Sequence, residues 1–363
     1  MDDMSLEDVA RQLSDIEVAV LLCLAAHEHC LIETTGDSID DLGRELALIC
    51  SNTFDLSFSI LECGPETSIE EIHNDILTTD ARKTLARPSY SRAKTGSSSN
   101  LSYVGGHRDR SKSPIPSMIA DEPNVVNIII AKNFNLTSED FQVQSLQLMR
   151  TRQLVTEIGI LNAPTDFLFV PLVARDSAEL HPPLKTHLRD QLFISHYHEP
   201  EDGFIYLEEN DWLSDGQLSA SSVIHTPKYP QKMSAKVSNM VIQKLREASK
   251  STTMNAEVVR YIQDIVVFLR LSRAVAGGIS ARANNQFAQL AQFLTPLHGI
   301  DYLTPSIVEL AARKVFRHRI IVASPGDDRS LQYGSDLVTV SRVLAEVTPD
   351  SVLDGVLELE PPI

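Results

Sequence analysis

Apolar residues along this chain follow three patterns. The first is the nearly unbroken β-branched run, as in Val125-Val-Asn-Ile-Ile-Ile-Ala131, which marks a strand buried on both faces. Phe167-Leu-Phe-Val-Pro-Leu-Val173 and Phe193-Ile-Ser-His-Tyr197 repeat it, and Cys30-Leu-Ile-Glu-Thr34 is a shorter version. Leu56-Ser-Phe-Ser-Ile-Leu-Glu62 alternates, as a partly covered strand does. The second pattern is helical spacing. Ile39, Leu42, Leu46 and Ile49 predict a helix to about Cys50, and another runs from about Ser138 to Arg152. Ser5-Leu-Glu-Asp8, Ser14-Asp-Ile-Glu17 and Thr67-Ser-Ile-Glu70 each set a capping hydroxyl three residues before an acid. The second of these opens Ile16–Ala26, too apolar for an exposed helix, and the third predicts a helix ending near Leu77. Only helical spacing appears from Ala256 to His318, in segments 256–273, 283–297 and 305–317. Strands near 30–34, 57–63, 125–131, 167–173 and 193–197 therefore alternate with helices, which predicts an α/β parallel sheet covered on both faces.

The third pattern is a lack of apolar residues. Nine of residues 81–118 are serine, and Gly, Pro, Lys and Arg fill most of the rest, so residues 81–120 are expected to form a disordered insert. Ser113-Pro114 within it could accept phosphate. Residues 207–255 read as a polar linker with a short helix near Val237–Ala248, and 321–363 as an acidic C-terminal tail with one short amphipathic helix. At roughly 150 residues per domain, 363 residues suggest two domains. We place a core at 1–206 and a helical unit at 256–320.

Charge sharpens this picture. The net charge is −17, and residues 1–80, with 19 acids against Arg11 and Arg44, hold all of it. Residues 82–112 carry eight bases against Asp109. A polyanion is repelled by the first segment, so nucleic acid is not expected as a partner. No apolar run approaches the ~18 residues of a membrane span, and the start Met1-Asp2-Asp3 is unlike a secretory signal. The four cysteines (Cys23, Cys30, Cys50, Cys63) fall in the first 63 residues without a C-x-x-C, which suits reduced thiols in a cytoplasmic or nucleocytoplasmic protein.

The segment Leu31-Ile-Glu-Thr-Thr-Gly36-Asp-Ser-Ile-Asp40-Asp41-Leu is a strand, a turn and a helix start, placed where a phosphate-binding loop would lie. Val275-Ala-Gly-Gly-Ile-Ser-Ala-Arg282, Gly299-Ile-Asp-Tyr-Leu-Thr-Pro305 and Arg317-His318-Arg319 look like lid motifs. On these residues the chain resembles AAA+ ATPases of the magnesium-chelatase ATPase-subunit and MoxR type, over 31–77, 124–206 and 256–320. The resemblance implies a P-loop-type parallel five-stranded sheet in the order 5-1-4-3-2 and a C-terminal all-α lid. It implies ATP and magnesium as cofactors, and self-association or protein partners through AAA+ surfaces.

The departures from that family's pattern are chemical. Gly36 is kept, and Asp37 and Ser38 follow it, but Ile39 stands where the phosphate-binding lysine belongs and Asp40 where the magnesium-binding hydroxyl belongs. The strand ending Ala131-Lys132 lacks the family's Asp-Glu, and Ala174 takes the place of its polar sensor. Gln191 aligns with the family's arginine finger, with Arg189 two residues away, and only the lid arginine Arg282 is retained. A carboxylate about 8 Å from a phosphate charge costs roughly 2 kcal/mol at an effective dielectric of about 20. Glu33, Asp37, Asp40 and Asp41 together would then cancel the roughly 8 kcal/mol of a micromolar site. The acids at the helix start are expected to satisfy its free N–H groups themselves.

The expected reading is a degenerate AAA+ protein, a pseudo-ATPase with no catalytic residues and no cofactor, acting as a scaffold or regulatory subunit. An active ATP-dependent magnesium-chelatase subunit and an unrelated α/β binding protein are the alternatives. Lys132 at a buried strand tip is expected either to pair with Asp37, Asp40 or Asp41 or to reach solvent beside Asn133. Bland readings go to the remaining candidates. His196 and His198 are taken as strand-end packing rather than metal ligands, and His27 and His29 as residues of a helix end where positive charge is favourable. Cys63 is a thiol with a raised pKa, and Phe287, Leu290, Phe293 and Leu294 form a core stripe.

Overall fold

Five strands build the central sheet: β1 (His29–Thr34), β2 (Phe58–Glu62), β3 (Ile128–Lys132), β6 (Leu168–Ala174) and β7 (Leu192–Tyr197). All pairings between them are parallel, in the spatial order β2-β3-β6-β1-β7. Counting only these five in chain order, the sheet reads 5-1-4-3-2, as the resemblance implies. This is a computed structural model, and it describes residues 5–67, 76, 125–156, 159–175, 184–207, 236–358 and 361. The expected insert 81–120 with Ser113-Pro114 lies outside the described residues, as does all but Ile76 of the predicted helix body at 68–77.

Alternation along each strand divides the core in two. Ile128 and Ile130, Leu168, Val170 and Leu172, and Cys30 and Ile32 face one side, while Ile129, Ala131, Phe169, Val173 and Leu31 face the other. Helices α1 (Leu6–Gln12), α2 (Asp15–Ala26) and α3 (Ile39–Asn52) cover the first side. Ser14 and Glu17 cap α2 reciprocally, and the helix is buried almost all round, as its composition predicts. Helices α4 (Glu139–Thr151) and α5 (Thr186–Gln191) cover the second side. An antiparallel hairpin of β4 (Gln153–Thr156) and β5 (Gly159–Asn162), absent from the sequence reading, follows α4 after Arg152 enters the left-handed region at φ 55°.

The C-terminal half adds α6 (Asn239–Ser251), α7 (Ala256–Leu271), α8 (Ala281–Leu297) and α9 (Pro305–Phe316). Phe287, Leu290, Phe293 and Leu294 are buried in its core, as expected. Two corrections to the expected domain layout follow. Residues 239–251 are not linker: Val241, Ile242 and Leu245 are buried, and Arg246 donates to the carbonyls of Leu24 and Ala25 at the end of α2 (2.7 and 2.9 Å). The expected tail is likewise structured, with α10 (Leu337–Leu344) and α11 (Pro349–Leu357), the latter burying Val352, Leu353, Val356 and Leu357. A short ladder of β8 (Val275–Gly277) and β9 (Ile321–Val322) joins the helices of the lid.

The lid covers the β7 edge of the sheet, where unpaired carbonyls would otherwise face water. His318 donates to Leu192 O (2.9 Å), and Arg319 donates to the carbonyls of Leu192, Phe193 and Val315 and to the Gln286 side chain. Arg319 is almost wholly buried, and that burial pulls its pKa down to about 9.

Candidate functional site

The C-terminal ends of β1, β3, β6 and β7 converge on the turn Gly36–Ser38 that leads into α3. The turn is stitched locally, with Thr35 Oγ1 donating to Ser38 Oγ (3.0 Å) and Thr34 Oγ1 to His198 O (3.0 Å). Gly36 faces Ala174, since a Cβ placed on it would lie 4.0 Å from the alanine methyl group. Ile39, at the lysine position, is turned inward and buried, while Asp37 and Asp40 are exposed. The expected capping of α3 by its own acids is not seen. Ser38 makes no side-chain cap, and Asp40 turns instead to the neighbouring strand.

That contact is the pairing expected of Lys132. Its ammonium lies 2.7 Å from Asp40 Oδ1 and also pairs with Glu62, its register partner on β2. The Lys132 side chain is only 10% exposed, so the alternative route to solvent is not taken. Burial opposes the charge, but the hydrogen bonds that Lys132 donates to the two carboxylates outweigh it and raise the lysine pKa, while Asp40 is lowered by the same bond. Its stem lies along Gly43 of α3, where an added Cβ would come within 2.8 Å of Lys132 Cδ. A small residue there is what lets helix and lysine pack.

Beside this bridge lies a second charged group that the sequence reading left unassembled. Glu33 on β1 is buried, and desolvation raises its pKa to about 6. Arg317 of the lid approaches it at 3.6 Å and holds Asp350 of α11 at 3.1 Å; Arg175, after β6, reaches Asp350 at 3.5 Å. The guanidinium carbons of Arg175 and Arg317 stand 5.3 and 5.9 Å from the Tyr197 ring centre, within cation–π range. Only the position of Arg175, directly after a strand on the loop side, could have pointed to this group.

The structure thus brings Gly36, Asp37, Ser38, Ile39, Asp40, Ala131, Lys132 and Ala174 to one end of the sheet. Arg282 is not among them. It pairs with Glu28 (2.7 Å), the residue before β1, and so sits at the opposite end of a strand about 20 Å long at ~3.3 Å per residue. Arg189 is 8% exposed and therefore not displayed to a neighbour, and Gln191 is buried too.

The remaining candidates are structural. His196 is buried at the β7 edge with Lys314 3.3 Å from its Nδ1, and burial lowers its pKa to about 3; that of His198 is also lowered by burial. No cluster of three or more metal-ligating side chains occurs among the described residues. His29 accepts from Phe169 N–H (3.1 Å), and burial takes its pKa to about 4; that of His27 is lowered by burial and then by Arg246 and Arg152. Burial disfavours the charged form of both, and Arg246 supplies the positive charge favoured at that helix end. Cys63 is buried with its thiol pushed up to about 12.

Comparison with known proteins fits this geometry. Residues 268–338 match the family model of the AAA lid domain. The five-stranded parallel α/β sheet is thus followed by a helical domain of the AAA lid type. A crystal structure of a candidate ATPase from Cytophaga hutchinsonii superposes over 99% of this chain and 94% of its own, with a TM-score of 0.59 and 14% sequence identity. In all, 313 solved chains match, so the likeness fixes architecture and leaves chemistry to the residues. No curated protein matches in sequence. Among the described residues no helix is long and apolar enough to cross a membrane.

Proposed function

We propose that this AAA+ chain neither hydrolyses nor binds magnesium-ATP and serves as a scaffold or regulatory subunit, joined to protein partners or to copies of itself. One observation carries the reading: the Lys132 ammonium bridges Asp40 and Glu62 beside the turn Gly36–Ser38. The residues present do not fit the nucleotide that the resemblance implies. The turn offers Ile39 in place of a cation for phosphate, with Asp37, Asp40 and Asp41 around it. The cations that do reach this end are already engaged, Lys132 by Asp40 and Glu62, Arg317 by Glu33 and Asp350, and Arg175 by Asp350. Such groups act as a unit in catalysis, so one surviving glycine supplies no activity.

The test is magnesium-ATP turnover and titration calorimetry on the purified chain. No turnover and no heat of binding are expected, and restoring Ile39→Lys alone leaves both unchanged. The competing reading, an active ATPase of the magnesium-chelatase type, requires magnesium-dependent hydrolysis above background. Measurable magnesium-dependent turnover of that kind ends the pseudo-ATPase reading.

A further inference from the structure

Helix α11 (Pro349–Leu357) has nine residues, Gly355 among them, below the roughly 12–15 at which an isolated helix begins to hold in water. Its start is well made: Thr348 and Ser351 cap each other reciprocally, and Pro349 sits in the first turn. The rest depends on docking. Val352, Leu353, Val356 and Leu357 recur at helical spacing and are buried where α11 packs against α7 and α9. Asp350 and Asp354 stand four residues apart, as do Arg313 and Arg317 at the end of α9. Arg313 pairs with Asp354, and Arg317 Nε lies 3.1 Å from Asp350 Oδ1. The lower-numbered arginine meets the higher-numbered acid, so the two helices run antiparallel with two ionic rungs between them.

Asp350 also reaches out of the lid. Its second oxygen, Oδ2, lies 3.5 Å from Nη2 of Arg175, the residue after β6. Arg175 is anchored to the sheet, because its own backbone N–H donates to Thr34 O (2.7 Å) at the end of β1. One carboxylate is thus divided between a guanidinium of the lid and a guanidinium of the core. The lid has a firmer attachment at the β7 edge, where His318 and Arg319 are buried on Leu192 O. The Asp350 contact is made by groups that water reaches, with Asp350 45% exposed and Arg175 39%. Exposed ion pairs are weak and are screened by salt. The two attachments therefore hold the lid with unequal strength, and the weaker one belongs to a helix that needs docking to be stable.

We propose that α11 is a releasable strap. Closed, it ties the lid to the core through Asp350 and Arg175; open, it unfolds as a unit while the β7 edge stays docked. Release uncovers the faces of α7 and α9 beneath it and leaves Arg317 with Glu33 alone, so that the β7 edge carries the lid. Local opening of this kind is drawn from elements whose bonds are exposed to water. The strap concerns how the lid sits on the core and is independent of whether nucleotide binds.

The experiment is native-state hydrogen exchange of the full chain, read on the amides of 353–357 with those of β1 and β7 as the reference. The α11 amides are expected to exchange together and faster than those of β1, which wait for global unfolding. Arg175→Gln removes the core contact without altering the strap, and should raise α11 opening about 1.4- to 5-fold, the range of an exposed pair. The β1 and β7 amides should not change. In an Asp350→Ala background the same substitution should have no effect, because Arg175 has already lost its partner. Asp354→Asn, which leaves the core contact in place, should also speed α11 exchange, and added salt should narrow these differences. Exchange of α11 at the rate of β1 overturns the proposal, since the helix then opens only with the whole chain. So does an unchanged α11 rate in Arg175→Gln, or a rise shared equally by β1 and β7. An Arg175→Gln effect that persists in Asp350→Ala also overturns it, by tracing the effect to Tyr197 or Glu33 instead of the strap.

Discussion

Strand β1 ends in two different electrostatic settings. At its C-terminal end, Lys132 is held between Asp40 and Glu62, and Glu33 and Asp350 share Arg317. Opposite charges there meet at short range, with strand register and the start of α3 setting the distances. At its N-terminal end Arg282 has Glu28, but Arg189 nearby has no partner for two of its nitrogens among the described residues, and burial disfavours the charged form of His29. Here the charges come from α5 and from a lid docked onto the sheet edge. The contrast is between charges positioned by strand register and the start of α3 at one end and charges positioned by lid docking at the other.

The largest test of this contrast is acid. His29 ionises near pH 6.5 when unfolded but only at about 4 when folded, because burial disfavours its charged form. The unfolded chain therefore binds the extra proton between those values, and stability falls as pH drops from 6.5 towards 4. The shift corresponds to about 3 kcal/mol. His29→Gln should remove one proton's share of that slope, followed by urea unfolding, while His196 and His318, also lowered by burial, keep theirs. An unchanged slope in the variant would mean that the N-terminal end is not where acid acts.

Glu33 has the opposite sign. Its pKa is raised from 4.5 to about 6, so the folded state holds the proton more tightly and stability falls as pH rises through that window. Glu33→Gln removes this cost of about 2 kcal/mol and should make the chain more stable at pH 7.5 than at pH 4.5 relative to the native one. A variant equally destabilised at both pH values shows instead that Arg317 needs the carboxylate.

The Lys132 bridge tests the closed end directly. Lys132→Ala leaves Asp40 and Glu62 facing each other and opens space beside Gly43, and should cost roughly 1–3 kcal/mol. Lys132→Met keeps the stem and loses only the charge, so its cost should be smaller. Both carboxylates are largely exposed, so an equal loss in the two variants attributes the effect to charge, and a loss confined to alanine attributes it to packing.

These predictions also show what the sequence could and could not disclose. The five strands were legible because buried parallel strands demand near-continuous β-branched or aromatic runs, and Val125–Ala131 and Phe167–Val173 are hardly anything else. Lys132 pairing with an acid of the turn was legible from topology, since adjacent parallel strands deliver their last residues to one place. Glu62, its second partner, was not, because register between β2 and β3 decides it. The β4–β5 hairpin has only eight strand residues, with Val155 and Ile160 exposed, too little burial to print a pattern. The setting of Arg189 was illegible for another reason. Whether it finds a partner depends on how the lid docks, and no local spacing records that.

The smallest expected effect separates a helix end from an ion pair. Arg282 is 38% exposed and Glu28 19%, so their coupling in a double-mutant cycle should be at most about 1 kcal/mol. Glu28, however, stands just past the C-terminus of α2, whose last carbonyls already carry partial negative charge and take hydrogen bonds from Arg246. Left alone there, a carboxylate is repelled by the helix end, and Arg282 offsets that repulsion as well as pairing. The two single substitutions should then be unequal. Arg282→Ala exposes an unfavourable acid, whereas Glu28→Gln removes the acid together with its need for a partner, so the arginine variant should be the less stable at low salt. Raising salt should narrow the gap, because both charges are within reach of solvent ions. If Glu28→Gln costs as much as Arg282→Ala at every salt concentration, the helix end plays no part. The N-terminal end of β1 would then hold a surface pair and nothing more.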